Sequence, residues 1–280
     1  MPATQDAPAG GQIMAVVQLA TDRVMASIDG PVGWLVFNNP ERRNAVSVDM
    51  WEAIPAAFDR FEAEPDVRVV VLRGAGEKAF AAGLDISQLD QRFASKESAA
   101  RHGDLTMRAS ERILKSSKPT IAMIYGYCIG AGVQISVNCD LRIAADTALF
   151  AITAAKLGIG YPLRSLKRLV DLVGPSRAKE IFFTARHFTA AEAQAMSLVD
   201  RTVPPAELES HVRSYCEAIA ANAPLTIAAV KQVIGEFSAM PPGLDQDHCK
   251  RLLDACFESE DCREGRRAFL EKRRPSFSGR

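Results

Sequence analysis

Two glycine-containing turns are the segments of this 280-residue chain in which residue type and spacing point to chemistry. The first, Ala81-Ala82-Gly83, follows the β-branched run at residues 67–72. The second, Gly130-Ala131-Gly132, follows a predicted strand at residues 120–124 and opens a predicted helix. Small residues let a ligand approach the backbone, and the first N–H groups of a helix have no acceptor within it. Two such turns side by side could direct two N–H donors at one oxygen atom and form an oxyanion hole.

The chain ahead of the first turn supplies elements that must hold it. Residues 24–29 and 34–37 predict a hairpin through Gly30-Pro31. Residues 44–62 carry apolar side chains at helical spacing, with Ser47 as the candidate N-cap. A strand pair and a helix are therefore expected before the first glycine turn.

The alternation of elements continues through the rest of the chain. Residues 95–116 predict a helix, residues 130–138 a second helix and residues 141–144 a strand. From Ser165 onward the pattern is mostly helical, with one short strand near residues 199–203. The periodicity alone therefore predicts an α/β protein.

Composition is typical of an ordinary soluble globular protein. Hydrophobic residues make up 48% and charged residues 24% of the sequence, and lysine plus arginine equal aspartate plus glutamate at 34 each. This balance predicts neither a nucleic-acid partner nor a membrane partner, and charges interrupt every apolar run that could span a bilayer. Residues 1–14 predict a disordered tail without the features of a signal peptide, so a cytoplasmic protein is expected.

The cysteines do not follow a common metal-binding pattern. Three of the six stand alone in apolar surroundings and are expected to be small core residues: Cys128, Cys139 and Cys216. The other three lie near His248, but their spacings include no C-x-x-C: Cys249, Cys256 and Cys262. Free thiols and no metal site are therefore expected.

Both glycine-turn segments, residues 77–86 (EKAFAAGLDI) and 118–143 (KPTIAMIYGYCIGAGVQISVNCDLRI), resemble those of the crotonase, or enoyl-CoA hydratase/isomerase, superfamily. Further segments resemble the family pattern in the same order: residues 39–45, 172–177, 189–204, 222–224 and 264–273. The resemblance extends over roughly residues 20–275. Members of this superfamily stabilise a thioester enolate in an oxyanion hole, which is the chemistry that the two turns could supply.

The resemblance implies a fold and an assembly. A ββα spiral core with the coenzyme A and acyl site is expected over residues 15–203, and a helical oligomerisation region over residues 204–280. The break between them would lie at Val203-Pro204-Pro205. Relatives assemble as trimers or dimers of trimers, so a homo-oligomer is expected here. Coenzyme A is part of the acyl-CoA substrate, and no separate cofactor is expected.

The resemblance also implies a set of site residues. The oxyanion donors would be the backbone N–H groups of Leu84 and Ala131, where the second position is more commonly glycine in the family. The coenzyme A contacts would come from the segments around the first turn and from the last helix: Arg42, Arg43, Ala45, Ala81, Ala82, Asp85, Ile86, Phe269 and Lys272. Arginine and lysine side chains suit the phosphates at the nucleotide end of coenzyme A, although each of these cations taken alone could equally be a solvated surface charge.

Two residues depart from the family pattern at the positions of its catalytic glutamates. Typical hydratases place one glutamate two residues after the glycine triplet and another in a segment that resembles residues 150–158. This chain has Gln134 and Ala154 at those positions. Neither side chain exchanges a proton near neutral pH, and general acid–base catalysis contributes about 10²–10⁴-fold per group. The sequence therefore predicts a poor hydratase of the ordinary kind.

Other side chains could replace the missing acid or base. Tyr161 is the first candidate, because a phenol can donate a proton to a developing carbanion; the alternative is a packed loop anchor. Lys156 and Arg164 could hold a carboxylate or be surface charges. His102 lies in the helix expected to line the acyl pocket, and its alternative is an exposed surface position. Asp140 matches a family aspartate whose role is structural.

Two classes of function fit these residues. In the first, the chain is an enzyme that acts on an acyl-CoA thioester through an enolate. Decarboxylation, double-bond isomerisation or C–C bond formation then fits the missing glutamates better than hydration, and departing CO₂ leaves an enolate without any base. In the second, the chain binds a CoA thioester without catalysis, and a free polar group beside the oxyanion hole would favour the enzyme. RNA binding, known in some relatives, lacks the basic stripe that it would need here.

Overall fold

Strands and helices alternate along this chain because short β-branched runs are separated by longer amphipathic segments. The computed structural model describes residues 15–88, 95–157, 161 and 163–238, and further on residues 248, 251, 255, 259–261, 264, 267, 268, 271 and 273–280. In these ranges no single helix is both long and apolar enough to cross a membrane. Two helices joined across a 105° bend, Pro205–Ala220 and Pro224–Phe237, reach that length and composition only as a pair.

The described strands form two sheets. The seven strands of the larger sheet, in chain order, are β1 (Ala15–Val17), β2 (Val24–Asp29), β3 (Val32–Phe37), β4 (Val69–Gly74), β6 (Thr120–Ile124), β8 (Leu141–Ala145) and β11 (Arg201–Val203). The smaller sheet contains β5 (Ala79–Ala82), β7 (Tyr127–Ile129), β9 (Leu149–Ala151) and β10 (Phe188–Thr189). The larger sheet is antiparallel from β1 to β3 and parallel from β3 to β11, and β5, β7 and β9 are parallel.

The helices close three repeats of one supersecondary unit. They are α1 (Val48–Ala63), α2 (Lys96–Leu114), α3 (Ala131–Ser136), α4 (Leu163–Thr184), α5 (Ala190–Ala195), α6 (Pro205–Ala220) and α7 (Pro224–Ser238). In the units β4-β5-α2, β6-β7-α3 and β8-β9-α4, the first strand joins the larger sheet, the second joins the smaller sheet, and a helix follows. This is the ββα spiral that the family resemblance implies, and the predicted fold is confirmed.

Two apolar layers hold the larger sheet. One face packs against the smaller sheet and α1, through large side chains that are almost completely buried: Leu35, Phe37, Trp51, Phe58 and Phe80. The other face carries Val69, Val71 and Ile121, which pack against Leu208 and Val212 of α6. The chain does pass from strand to helix at the predicted Val203-Pro204-Pro205 break, and α6 then covers the core sheet directly.

The longer predicted elements are present. The hairpin forms from β2 and β3, and α1 begins directly after its predicted N-cap, Ser47. Helix α2 begins after Ser95, whose hydroxyl accepts a hydrogen bond from the Ser98 N–H at 3.1 Å. The three cysteines predicted to be core residues are buried: Cys128, Cys139 and Cys216, the last on the face of α6 that packs against the larger sheet.

The smaller sheet is absent from the sequence-based prediction. Ala81 and Ala82 were expected to form a turn, but they end strand β5, and the turn begins at Gly83. Strand β10 is a second strand in the region where only β11 was predicted. Strands of two to four residues are too short to display an alternating pattern, so only pairing with neighbours defines them.

Candidate active site

The two glycine turns lie against each other at the end of the smaller sheet. Gly83 follows β5 with φ 99° and Gly130 follows β7 with φ 52°, both in the left-handed region that favours glycine. The two strands are paired, with Ala82 opposite Ile129. A Cβ atom placed on Gly130 would lie 3.7 Å from the Gly83 Cα, so the two backbones are in van der Waals contact. The structure therefore places the turns side by side.

Glycine is also required one residue into α3. A Cβ atom on Gly132 would lie 2.3 Å from the carbonyl oxygen of Ala81, well inside van der Waals contact. The first turn of α3 therefore rests directly on the backbone of β5. This contact fixes how far the N-terminus of α3 stands from the first turn.

The N–H group of Leu84 donates no hydrogen bond to the chain segment with which Leu84 pairs. Leu84 forms a parallel bridge with Val46, in which the Val46 N–H donates to the Gly83 oxygen at 2.8 Å and the Asp85 N–H donates to the Val46 oxygen at 3.1 Å. In such a bridge the central residue points its own N–H away from the partner strand. The Leu84 N–H therefore points away from Val46, to the side on which β7 and Gly130 lie.

The N–H group of Ala131 is the first of helix α3. The first hydrogen bond of the helix runs from the Gln134 N–H to the Gly130 oxygen, at 3.0 Å. The Ala131 N–H therefore has no acceptor within the helix. Ala131 is 5% exposed, and its predecessor Gly130 is anchored by donating to the Ala151 oxygen at 2.8 Å. Two main-chain donors thus arise from two turns that touch.

No carboxylate stands at residues 134 and 154, the two positions that the sequence predicts to correspond to the family's glutamates. Gln134 is 8% exposed, and as the residue three after Ala131 it lies on the same helix face. Its main-chain oxygen accepts from the Asn138 side chain at 2.7 Å. Ala154 opens the short 3-10 helix Ala154–Leu157 and packs half-buried against the core. Neither position offers a group that titrates.

The structure places Tyr161 in a packed environment. Its ring meets Phe182 of α4 edge-on, with ring centres 4.9 Å apart. Burial raises the pKa of the Tyr161 phenol well above its usual value, and the nearby thiol of Cys128 acts in the same direction. The phenol is therefore protonated at neutral pH and is a hydrogen-bond donor. This packing is what a loop anchor requires, and the role as proton donor stays a prediction.

The remaining acid–base candidates differ in burial and in their hydrogen-bond partners. His102 is 7% exposed within α2, so the expected alternative of a surface histidine is wrong. Lys156 is exposed, and the side chain of Arg164 lies outside the described residues. Asp140 accepts from the Thr120 N–H at 2.7 Å and from the Lys231 amine at 2.7 Å. It ties β6 to α7, which is a structural role.

The segment at residues 39–45 runs beside the first turn. The Ala82 N–H donates to the Arg43 oxygen at 3.0 Å, and Arg43 and Asn44 both have positive φ, at 53° and 56°. The Asn44 side chain donates to the Ala79 oxygen at 2.8 Å. The structure thus gathers most of the predicted coenzyme A contacts around Gly83: Arg42, Arg43, Ala45, Ala81, Ala82 and Asp85. Three fall outside what is described: the Ile86 side chain, Phe269 and Lys272.

The two arginines of this segment have different surroundings. The Arg42 guanidinium is held by Asp85 at 2.6 Å and by the Ser87 hydroxyl at 2.7 Å. The Arg43 guanidinium lies 4.9 Å from the centre of the Tyr127 ring, over its face. Arg42 is therefore already neutralised by a carboxylate, whereas Arg43 presents its charge on an aromatic surface.

The Asp85 carboxylate accepts the hydrogen bonds that hold residues 42 and 87 beside the first glycine turn. It is 5% exposed and accepts from the Ser87 hydroxyl at 2.7 Å and from the Ser87 N–H at 3.0 Å. Burial acts to raise the pKa of Asp85, but the Ser87 hydrogen bonds and the Arg42 charge outweigh it and hold the pKa below its usual value. The ionised form is thus part of the folded turn.

Sequence reasoning missed Asn44, Ser87 and Tyr127. Asn44 had a usable signal, since asparagine tolerates the left-handed conformation better than most residues. Ser87 and Tyr127 had none, because only the folded chain brings them to Arg42 and Arg43. For the described residues, no group of three or more histidine, cysteine or acidic side chains could hold a metal ion. Cys249, Cys256 and Cys262 lie outside that set.

Comparison with known proteins gives one consistent family. A model of the enoyl-CoA hydratase/isomerase family matches residues 28–280. A short-chain enoyl-CoA hydratase of Clostridium acetobutylicum is 31% identical over 90% of this chain and 96% of its own length. A peroxisomal Δ(3,5)-Δ(2,4)-dienoyl-CoA isomerase of Arabidopsis thaliana is 32% identical over 91% of this chain and 95% of its own length. A crystal structure of a Hyphomonas neptunium protein assigned to the same family superposes with a TM-score of 0.89 and is 38% identical, covering 94% of this chain and all of that one.

Substitution of Gly132 tests the contact between α3 and β5. Gly132→Ala should destabilise the protein by about 1–3 kcal/mol, because the new methyl group meets a backbone oxygen that cannot rotate away. Urea unfolding measures this change. Gly235→Ala in α7 is the matched control, since its Cβ would meet no atom within 4 Å and alanine is the better helix former. Equal stability of G132A and wild type would contradict the described contact.

The lowered pKa of Asp85 predicts a pH dependence of stability. A carboxyl group with a depressed folded pKa stabilises the fold above its unfolded pKa, near 3.8, and loses that contribution as pH falls through the folded value. The free energy of unfolding should therefore fall less between pH 6 and pH 2 in Asp85→Asn than in wild type. Urea titrations across that range measure the difference. An identical fall in both proteins would show that Asp85 is not the group responsible.

Proposed function

This chain belongs to the enoyl-CoA hydratase/isomerase family, and from that membership we infer that it acts on an acyl-CoA thioester through an enolate. The enolate oxygen would accept from the N–H groups of Leu84 and Ala131. The observation that carries this proposal is the contact between the Gly83 and Gly130 turns, with both donors outside the pairing of their own elements. Removing one such donor in known enzymes raises the barrier by about 3–4 kcal/mol, so a preserved pair supplies a large part of the catalysis.

Efficient hydration is not the reaction that this site favours. Hydration needs a base to activate water and an acid to protonate the α-carbon, and each is worth about 10²–10⁴-fold. Gln134 can orient water by hydrogen bonds but cannot take its proton, and Ala154 provides only space. We therefore propose a member with altered chemistry, in which the enolate forms by loss of CO₂ from a carboxylated ester, or by transfer of a substrate proton to a base that lies at neither of these two positions.

Tyr161 is the proposed proton donor of this chemistry. The phenol is protonated at neutral pH and can donate its proton to the α-carbon of the enolate, although the burial that raises its pKa makes it a weaker acid than an exposed tyrosine. The 32% identity to a dienoyl-CoA isomerase favours isomerisation as one form of the reaction. The lack of a base at positions 134 and 154 favours decarboxylation. A CoA-thioester binding protein without activity is the competing proposal, and turnover decides between them.

Coenzyme A would bind along the segment at residues 42–45 without a further cofactor. Arg43 is the better placed cation for a phosphate, since Arg42 is occupied by Asp85 and Ser87. Phe269 and Lys272 are proposed to contribute from the C-terminal region. The assembly is proposed to be a trimer or a dimer of trimers, and an exposed apolar stripe on α7 suits burial between copies: Val230, Ile234 and Phe237, which are 43%, 58% and 67% exposed.

Restoring the glutamates should restore hydration. Crotonyl-CoA hydration by the wild type is expected to be very slow, and Gln134→Glu with Ala154→Glu should raise its rate by about 10²-fold or more, because a base and an acid return beside the same oxyanion hole. The loss of enoyl absorbance measures the rate, and each single variant serves as a control expected to gain less. Rapid hydration by the wild type would overturn the altered-chemistry proposal.

A panel of thioesters identifies the reaction. Malonyl-type and 3-enoyl-CoA esters are to be tested for turnover, and Tyr161→Phe should lower kcat for the accepted ester by about 10²–10⁴-fold with little change in KM. Tyr215→Phe on α6 is the matched control and should behave as wild type. Turnover undiminished in Y161F would remove Tyr161 from the mechanism. Tight binding of CoA esters without turnover of any would support the binding protein.

A further inference from the structure

A groove lies between helices α1 and α2, outside the candidate active site. It has a volume of about 550 Å³, which is within the range of small-molecule sites in proteins. Its most buried part is apolar, because Trp51 is completely buried and Leu105 half-buried. No residue that lines it is among those assigned to the oxyanion hole or to coenzyme A. The groove is therefore a second cavity whose chemistry the proposed function does not use.

An ion pair between the two helices closes one end of the groove. The Arg112 guanidinium of α2 donates to the Asp59 carboxylate of α1 at 2.7 Å. Farther along both helices, the Ser116 hydroxyl donates to the Glu62 carboxylate at 2.7 Å. Residue numbers rise together in these two contacts, so the helices run in the same direction. The residues that face each other across the groove can therefore be counted back from the first contact.

Two charges in the groove are unmatched. One helical turn before the ion pair, Arg108 of α2 stands level with Pro55 of α1, and about one turn before that Glu52 stands level with Leu105. Arg108 and Glu52 are both exposed, and neither forms an ion pair within the described residues. Each charge faces an apolar residue on the other helix. The groove thus presents a cation on one wall and an anion on the other, displaced by about one turn.

Pro55 adds a hydrogen-bond acceptor to the same wall. It lies inside α1 and has no N–H, so the carbonyl of Trp51, four residues earlier, loses its usual helical donor. Trp51 and Pro55 both line the groove, which places this carbonyl on the groove face of the helix. Glu52 is the next residue along. A main-chain oxygen and a carboxylate therefore stand together as acceptors.

A ligand that satisfies these groups carries charges of both signs. An ammonium group has three N–H donors and no acceptor, which suits a carbonyl beside a carboxylate. A carboxylate suits the Arg108 guanidinium, whose fork can donate two parallel hydrogen bonds. An apolar side chain would cover Leu105 and the edge of Trp51 and remove apolar surface from water. These three requirements together describe one class of small molecule.

We propose that the groove between α1 and α2 binds a free apolar α-amino acid. Its ammonium group lies on Glu52 and the Trp51 carbonyl, and its carboxylate lies on Arg108. The displacement of about 5 Å along the helices between the two protein charges suits a ligand whose own opposite charges are carried on one carbon atom. Binding at this groove does not depend on the proposed acyl-CoA function.

Calorimetric titration of the full-length protein with L-leucine tests the proposal. The wild type is expected to bind leucine with a Kd of about 1 mM or lower, and leucine methyl ester and N-acetylleucine, which each lack one charge, about 10-fold more weakly. Arg108→Gln should bind leucine about as weakly as the wild type binds the methyl ester, and Glu52→Gln about as weakly as it binds N-acetylleucine. Arg101→Gln, at an exposed arginine of α2 outside the groove, is the matched control and should keep the wild-type affinity.

Pro55→Ala separates binding from folding by two readouts. The restored N–H engages the Trp51 carbonyl, so leucine affinity should fall while thermal stability rises, because proline is the least favourable residue in a helix interior. The proposal is overturned if leucine shows no saturable binding, if the methyl ester binds as tightly as leucine, or if R108Q and E52Q bind leucine as the wild type does. Dissociation of an oligomer by R108Q and E52Q, seen in sedimentation, would also overturn it, in favour of an interface between copies of this chain.

Discussion

The packing of the first turn of α3 against strand β5 is the contact on which the candidate site depends. The absence of a side chain at Gly132 brings the helix onto the Ala81 carbonyl, and the positive φ angles of Gly83 and Gly130 bring the two turns together. Main-chain donors then need no side chain to be positioned, since the two paired strands and the helix start fix them. An alanine at position 131 is compatible with the proposed site, because the proposed donor is the backbone N–H and the methyl group does not remove it.

The parallel pairing of β5, β7 and β9 extends that constraint to the whole spiral. Each ββα repeat returns to the same two sheets, so the ends of successive parallel strands meet at one edge. The outer segment at residues 39–46 is fastened to the first turn by main-chain hydrogen bonds and by the Arg42–Asp85 pair. The segment proposed to bind coenzyme A is thereby joined to the turn that is proposed to hold the acyl oxygen.

The side chains at positions 134 and 154 carry the proposal that this member is not an ordinary hydratase. Gln134 and Ala154 offer no group that titrates, while the main-chain N–H groups of Leu84 and Ala131 lie outside the pairing of their own elements. In the proposed function, electrostatic stabilisation of an oxyanion is then retained without general acid–base catalysis from these two positions.

Long elements could be predicted from the sequence because their patterns are local. Helix α1 was anticipated with its N-cap Ser47, α2 was anticipated within residues 95–116, and β6 was anticipated at its observed residues, because helical periodicity, capping residues and β-branched runs depend only on neighbours along the chain. The short strands β5, β7, β9 and β10 could not be, because pairing with distant strands defines them. His102 also had to await the fold, since its burial in α2 depends on what packs over that helix.

By itself the sequence determined the family pattern and the positions of both glycine turns, and it predicted which residues stand at the family's glutamate positions, because each of these depends on residue type and spacing. Only the tertiary structure decided that Gly130 touches Gly83, and that Arg42 is occupied by Asp85 while Arg43 lies on Tyr127. Those facts concern atoms that are dozens of residues apart, and a linear pattern holds no information on such distances.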